Sequence, residues 1–387
     1  MKCVRAWCLV VALGLSIPVS ALSIFDQPGS TILYVGGSGP GNYTTIQAAL
    51  NASADGDTVF VFHGIYREHL MISTAVRLLG EGKYATIIDY GATYDNLTQV
   101  NSNHVTISGF TLRTTGNWTN SNWTTMLIRV NWMPYPLYYN NITITDNVFS
   151  SNYSAGIFLS SCSHCLIENN SFFINHSSSI NLFDCDNFTI QNNAVTKGSF
   201  YLDWVYDSRI LNNTIDVSGI LLYCCSSNEI SHNTLTRDGI ELTNCHLNHI
   251  SHNTFFGIYY PMRLYDCSRT TIEFNAFFNT NTTPIQITNG INLENSWEIN
   301  ISGNCIRDCI FGLFIKDSFL LKITKNTFQG NRVDARFYNS HATWNQNYWE
   351  RPHRLPKPIF GVTSINNVWP GFFQFDRHPA KAPYQIK

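Results

Sequence analysis

Apolar side chains recur at every second position along most of this chain, a period that predicts short β-strands with one face buried. One phrase repeats: an apolar-x-apolar strand, a polar turn ending in Asn, then a second short strand. The copies read ITITDNVF, LIENNSFF, FTIQNNAV, RILNNTI, NEISHNTL, NHISHNTF, TTIEFNAF, INISGNCI and LKITKNTF. Their turn residues are Asn147, Asn170, Asn193, Asn213, Asn233, Asn253, Asn275, Asn304 and Asn326, spaced by 23, 23, 20, 20, 20, 22, 29 and 22 residues. VTISGFTL, with Gly109 at the turn, is an earlier copy. A period near twenty, holding two or three strands and no helical pattern, is one coil of a β-solenoid. The Leu/Asn frame of leucine-rich repeats, which share the length, is absent.

The predicted fold is all-β: a right-handed parallel β-helix, its hand set by the near-universal hand of parallel crossovers. Equivalent turns stack Asn above Asn, so that side-chain amides hydrogen-bond along the axis. Solenoid ends expose strand edges and need covering. Thr45 to Leu50 is the best short helix, with Thr44 or Thr45 as N-cap, placed to cover the first coil. From His341 onward the phrase stops and Trp, Tyr, Phe and Pro accumulate, which predicts an aromatic C-terminal cap or tail. The expected organisation is a signal peptide at 1–21, the β-helix with its N-terminal cap at 22–340, and the cap or tail at 341–387.

Composition narrows the function classes. Charged residues are 13% of the chain and the net charge is −2, so there is no basic face of the kind nucleic acid requires. Lys2 and Arg5, the apolar run Ala6 to Leu15, and the small residues Val19, Ser20 and Ala21 form a signal-peptide pattern. The same stretch, apolar to about Phe25, also fits an uncleaved anchor. No later segment is long and apolar enough to span a bilayer. The N-x-S/T sequons at Asn42, Asn51, Asn96, Asn117, Asn122, Asn141, Asn152, Asn169, Asn175, Asn187, Asn212, Asn281 and Asn300 suit an extracellular setting, although Asn in a repeating turn also serves backbone geometry.

The opening YTTIQAALNASADGDTVFVFHGIYREHLMISTAVRLLGEGKYATIID resembles that of the pectin-lyase-like superfamily, in which pectin methylesterases and archaeal surface β-helix proteins begin alike. VTISGFTL and the SHNT-type coils resemble the NosD-like repeat proteins that bind carbohydrate and hydrolyse sugars. The ending, WNQNYWERPHRLPKPIFG to FDRHPAKAPY, is similar to the tail of archaeal members. The resemblance spans nearly all of the mature chain. It implies the parallel β-helix and an extracellular polysaccharide or cell-surface glycan as partner. It implies no single activity, since the architecture carries lyases, hydrolases, esterases and inert scaffolds. Three family patterns are missing. There is no paired Asp-Asp turn of the polygalacturonase kind. The pectate-lyase-like DHN turn has Ser for Asp at Ser231-His232-Asn233 and Ser251-His252-Asn253. The Asp, Asp, Arg pattern of pectin methylesterases is not evident.

Three constellations remain. Aligned on the turn Asn, Cys162, Cys185, Cys225, Cys245 and Cys267 share one column, with Val205 in the same slot. Coils lie about 4.8 Å apart, so neighbours such as Cys225 and Cys245 are within disulfide reach, while a ladder of buried thiols fits equally. Cys305 and Cys309 are a local candidate pair, and no double CxxC frame predicts zinc. His232 and His252 occupy one turn on adjacent coils. They are a candidate pair of copper ligands, as the NosD-like resemblance suggests, or an exposed imidazole ladder. No cofactor is otherwise expected, calcium and copper being the candidate ions.

The sharpest surface is a stripe of outward positions: Tyr201 and Asp203, Leu221 and Tyr223, Glu241 and Thr243, Arg263 and Tyr265, flanked by Phe158, Asn181, Phe183 and Lys316. Sugar rings pack on aromatic faces, and their hydroxyls pair with carboxylates and Arg. Tyr201, Asp203, Tyr223, Glu241, Arg263 and Tyr265 are therefore candidate carbohydrate ligands, and Asp203, Glu241 and Arg263 candidate catalytic groups. The two carboxylates lie two coils, or about 10 Å, apart along the axis, near the inverting-glycosidase range. The insertion between Gly109 and Asn147, with Trp132, Tyr135, Tyr138 and Tyr139, is a candidate groove wall or a self-packed loop. The expected function is a secreted or cell-surface β-helix that binds carbohydrate without catalysis. The alternatives are a polysaccharide lyase or glycoside hydrolase, and a copper-handling accessory protein.

Overall fold

The computed structural model describes residues 29–89, 91, 96–115, 125–131, 138–257, 260–278, 289–353, 355–362 and 371–385. The signal pattern, the sequons at Asn117, Asn122 and Asn281, and Trp132 and Tyr135 lie outside them.

The chain coils into three parallel sheets. The first, of 14 strands, runs from Ile32–Val35 to Ala342–Asn345, and the second, of 13, from Gly64–Tyr66 to Tyr348–Trp349. The third begins at Leu70–Ile72 and ends at Gly371–Asp376. Each coil visits first, second and third sheet in turn. Glu229–Ser231, Thr234–Thr236 and Ile240–Thr243 make one such coil, each strand pairing with its counterpart about twenty residues on.

The period-two pattern fills the interior with columns of like residues. In the first sheet Ile144, Ile167, Ile190, Ile210, Ile230 and Ile250 lie one above another, all buried. In the second sheet Phe149 stacks on Phe172 at 4.8 Å and Phe255 on Phe277 at 4.7 Å. In the third, Leu202, Leu222, Leu242 and Leu264 repeat the arrangement. Each such side chain contributes roughly 1.5–3 kcal/mol by leaving water.

Between first and second sheets the chain turns on two residues. The first is left-handed, with φ between 54 and 67° from Asp146 through Asn169, Asn192, Asn212, His232, His252, Phe274, Gly303 and Lys325 to Gln346. The second is the buried Asn. Its Oδ1 accepts the backbone N–H and the Nδ2 of the Asn one coil before, at 2.9–3.0 Å for Asn213 onto Asn233. Its own Nδ2 donates to the Ile carbonyl of the preceding coil, 2.8 Å from Asn233 to Ile210. The ladder is unbroken from Asn147 to Asn347. At the earlier copy the slot belongs to Phe110, whose N–H donates to Asn147 Oδ1, and Gly109 holds the left-handed position.

Further segments pair with the first and last coils. The helix is Ile46–Ala52, with Thr45 as N-cap accepting from Ala48 N. Glu68 accepts the Ile46 and Gln47 N–H groups at 2.9 Å each. The Gln47 side chain pairs with both backbone groups of Met71, on the first strand of the third sheet, covering that edge. The coil does not stop at residue 340. WNQNYW is one more copy: Ala342–Asn345 joins the first sheet, Tyr348–Trp349 the second, and Asn347 extends the ladder. Its aromatic content hid the alternation. Lys357–Val362 and Gly371–Asp376 then pair antiparallel. Buried Asp376 ends the ladder, its Oδ2 accepting Asn347 N, Asn347 Nδ2 and Trp349 Nε1 at 2.9, 3.0 and 3.1 Å. Gln374 likewise satisfies Ala342 N, Trp344 Nε1 and the Ser340 carbonyl. Phe372, Phe373 and Phe375 of that strand are half exposed.

Candidate functional site

The outer face of the third sheet carries the stripe. On strand Phe200–Tyr206 the residues Phe200, Leu202 and Val205 point inward and Tyr201 and Asp203 outward. The following strands Ile220–Tyr223, Ile240–Thr243 and Met262–Tyr265 keep that phase. Register makes two outward columns. One is Tyr201, Leu221, Glu241 and Arg263; the other is Phe183, Asp203, Tyr223, Thr243 and Tyr265.

The columns bring the predicted residues together in two groups. Tyr201 and Tyr223 pack ring to ring at 5.3 Å and 31°. Burial raises both phenol pKa values, with the Asp203 charge adding at Tyr201 and the Glu241 charge at Tyr223. Burial also raises Asp203, which sits between Phe183 and Tyr223 in its column. In the second group the Arg263 guanidinium bonds Glu241 at 3.1 Å and lies over the Tyr260 ring at 4.1 Å. Tyr265 stands at the end, 44% exposed.

Asp203 and Glu241 are two coils apart, as expected, but in different columns. Adding two residues of strand to the axial rise puts their Cα atoms about 12 Å apart. Glu241 is, moreover, committed to Arg263.

Sequence reasoning missed Tyr260, because it lies in the connection before its strand rather than in the alternating phase. It also missed Asp238, whose carboxylate accepts Gly239 N–H at 2.9 Å. Loss of hydration and the Glu241 charge raise Asp238, against the Gly239 bond and Arg263. Trp204, 48% exposed in a left-handed position beside the stripe, broke the expected alternation and went unread.

The other two constellations are in the expected columns. Cys225 N donates to Cys245 Sγ at 3.3 Å, and Cys185 is in register with Val205. The nine described cysteines are unpaired, and all but Cys224 are buried. Burial pushes the Cys165 and Cys309 thiols up to about 12. The His232 and His252 rings stack face to face, 4.9 Å apart and 2° from parallel, and His252 meets Phe274 at 5.2 Å with the rings tilted by 32°. Burial and the neighbouring His232 lower His252. Among the described residues no group of three or more His, Cys, Asp or Glu is placed to hold a metal ion. No described helix is long and apolar enough to cross a membrane.

Comparison with solved structures finds the same coil at low sequence identity. A family 28 exopolygalacturonase of Yersinia enterocolitica superposes with a TM-score of 0.54 at 11% identity, over 81% of this chain and 77% of that one. The alginate lyase AlyF-OU02, in complex with G6, gives 0.56 at 15% identity, over 88% and 90%. The catalytic domain of a GH87 α-1,3-glucanase gives 0.55 at 13% identity, over 83% and 65%. No curated protein matches by sequence. The sequence pattern of the right handed beta helix region matches residues 131–260 and 203–348, together more than half of the chain. With three parallel sheets, a continuous inner Asn ladder and that match, the chain belongs to the right-handed β-helix family.

Proposed function

We propose that this chain is an extracellular, non-catalytic β-helix that holds a glycan along the outer face of its third sheet. The observation that carries the reading is the Tyr201–Tyr223 ring pair set beside Asp203 and the Glu241–Arg263 ion pair. Together they offer an apolar platform flanked by groups that bond sugar hydroxyls. A saccharide partner is also supported by the names of the solved β-helices it resembles: an exopolygalacturonase, an alginate lyase and an α-1,3-glucanase. The engagement of Glu241 by Arg263 favours holding over cleavage. The signal pattern and the sequons support a location outside the cell.

The test is a glycan-array screen of residues 22–387 beside the Tyr201→Ala/Tyr223→Ala/Tyr265→Ala variant, with a reducing-end assay of every glycan bound. Binding that disappears in the variant, with no new reducing ends, is the expected result. New reducing ends that vanish in Asp203→Asn or Glu241→Gln replace the reading with that of a glycoside-cleaving enzyme. Binding that survives the triple variant removes the stripe from the account.

A further inference from the structure

A second concave site lies on a different sheet. Late in the solenoid the outer face of the first sheet and its Asn turn enclose a cleft of about 570 Å³. Its floor is the outward column Ser302, Thr324 and Asn345, from three successive coils. One side carries Asn300 and Lys322, and the other carries Lys325 and Gln346. Phe274 closes one end. Tyr384 closes the other, fixed by its N–H to Thr327 Oγ1 and its hydroxyl to the Gln346 carbonyl, both at 2.9 Å.

The cleft exists because the turn column is broken at one coil. Where its neighbours carry Phe274 and Lys325, the left-handed position holds Gly303. A β-carbon there would come within 2.6 Å of the Phe274 ring, so the missing side chain lets the ring lean over the gap. The ring is 42% exposed and is backed by the His252 imidazole.

The chemistry of the walls is unbalanced. Lys322 and Lys325 are exposed and have neither ion-pair nor hydrogen-bond partners among the described residues. The one carboxylate of the lining, Glu273, is held by His249 at 2.9 Å. Asn300 Oδ1 is buried without a partner and lies in the same wall. An aromatic face, two unpaired ammonium groups, and hydroxyl and amide donors on the floor together match a sugar ring that bears a negative charge.

From this arrangement we infer a second glycan site, selective for carboxylate-bearing (uronate) sugar units. The sugar ring packs on Phe274, its carboxylate lies between Lys322 and Lys325, and its hydroxyls bond Thr324, Asn345 and Gln346. The inference does not depend on the third-sheet reading, with which it shares no residue.

Titration calorimetry on residues 22–387 made in a bacterial host, so that the sequon residue Asn300 is bare, tests it. The probes are trigalacturonate, a sulfated galactan trisaccharide and neutral maltotriose. Trigalacturonate is expected to bind, losing at least tenfold in affinity in Lys322→Glu/Lys325→Glu. It should lose as much in Thr324→Trp, which fills the floor without changing charge, and remain within twofold in Leu247→Ala, an exposed side chain outside both sites; Tyr201→Ala/Tyr223→Ala is measured beside them to tell the two surfaces apart. Circular dichroism confirms that each variant keeps its β-structure. The inference is overturned by no trigalacturonate binding, by equal binding of maltotriose, by binding of the sulfated probe alone, or by affinity within twofold in the lysine variant. Loss confined to the tyrosine variant would place all glycan binding on the third sheet.

Discussion

Asn233→Ala is the most informative perturbation of the scaffold. Asn233 is 1% exposed and its side chain makes five hydrogen bonds. Its Oδ1 receives Asn213 N at 2.9 Å and Asn213 Nδ2 at 3.0 Å, and its Nδ2 reaches the Ile210 and Ser231 carbonyls and Asn253 Oδ1 at 2.8, 3.1 and 3.0 Å. Alanine removes all five. Asn213 Nδ2 keeps its bond to the Ile190 carbonyl, and Asn253 Oδ1 still accepts Asn233 N. The buried Asn213 backbone N–H loses its acceptor. A buried donor left unpaired costs about 1–3 kcal/mol, and the lost contact to Ile210 raises the expected total to about 2–4 kcal/mol. Urea unfolding followed by far-ultraviolet circular dichroism measures it, and hydrogen exchange at the Asn213 amide locates it. Exchange should accelerate at Asn213 and its coil neighbours and stay unchanged in coils far along the axis, because each coil touches only its neighbours. A loss below about 0.5 kcal/mol, within the range of ordinary surface substitutions, would refute the claim that the ladder stabilises the turns.

Further expectations follow from other contacts. Gly239→Ala puts a β-carbon 2.1 Å from the Pro261 carbonyl oxygen, so the coils must part there, and urea titration should show a loss of about 1–3 kcal/mol or more. Asp57 accepts N–H bonds from Ala54 and Thr31 that lower its pKa below 3.8, so its contribution is present above that pH and fades as pH falls through the lowered value. Asp57→Asn should therefore destabilise at pH 7 and far less at pH 2.5. Asp203 has the opposite sign. Burial raises its pKa, the folded state binds the proton more tightly, and stability falls as pH rises from 3.8 through the raised value. Asp203→Asn should gain more stability at pH 7 than at pH 3, by thermal unfolding at both. Native protein titrated with a maleimide should label Cys224 first, the other eight described thiols reacting only on unfolding; rapid labelling of Cys245 would refute the buried ladder.

How much was legible in the sequence depended on how local the signal was. Alternation and the twenty-residue period report on one strand and one coil, and they gave the sheets, the inner Asn column, the cysteine column and the stripe. The left-handed turn position escaped the sequence, because Asp146, Asn169, Asn192 and Asn212, which tolerate it, give way to His, Phe, Gly, Lys and Gln in later coils, so no residue type marks it. What escaped depends on contacts distant along the chain. Glu68 reaches back to the helix, and Asp376 reaches the ladder from 29 residues beyond Asn347. The first-sheet cleft escaped for the same reason: it needs Gly303, three coils of floor and a returning Tyr384 at once. The last coil was hidden because Trp344, Tyr348 and Trp349 fill slots that Ile, Thr and Phe fill elsewhere, so a true repeat looked like an aromatic tail.

The Asn ladder also has a direction. Each Asn also donates back to the Ile carbonyl of the preceding coil, but the Asn-to-Asn bonds all run one way, every backbone N–H and Nδ2 donating to the Oδ1 of the next Asn toward the C-terminal end, so these bonds align head to tail as peptide dipoles do in an α-helix. The two ends of the solenoid are therefore electrically unlike. The beginning offers Asn147 Oδ1 to one backbone N–H, whereas the far end presents two donors of Asn347 with no further rung to take them. A carboxylate is the group that suits a positive terminus, and Asp376 stands there as an acidic residue stands at the start of a helix. Lengthening the protein by adding coils at its C-terminal end would thus require the new last rung to meet the same carboxylate. The polarity makes the C-terminal end the one that must supply an acceptor, the role that Asp376 fills.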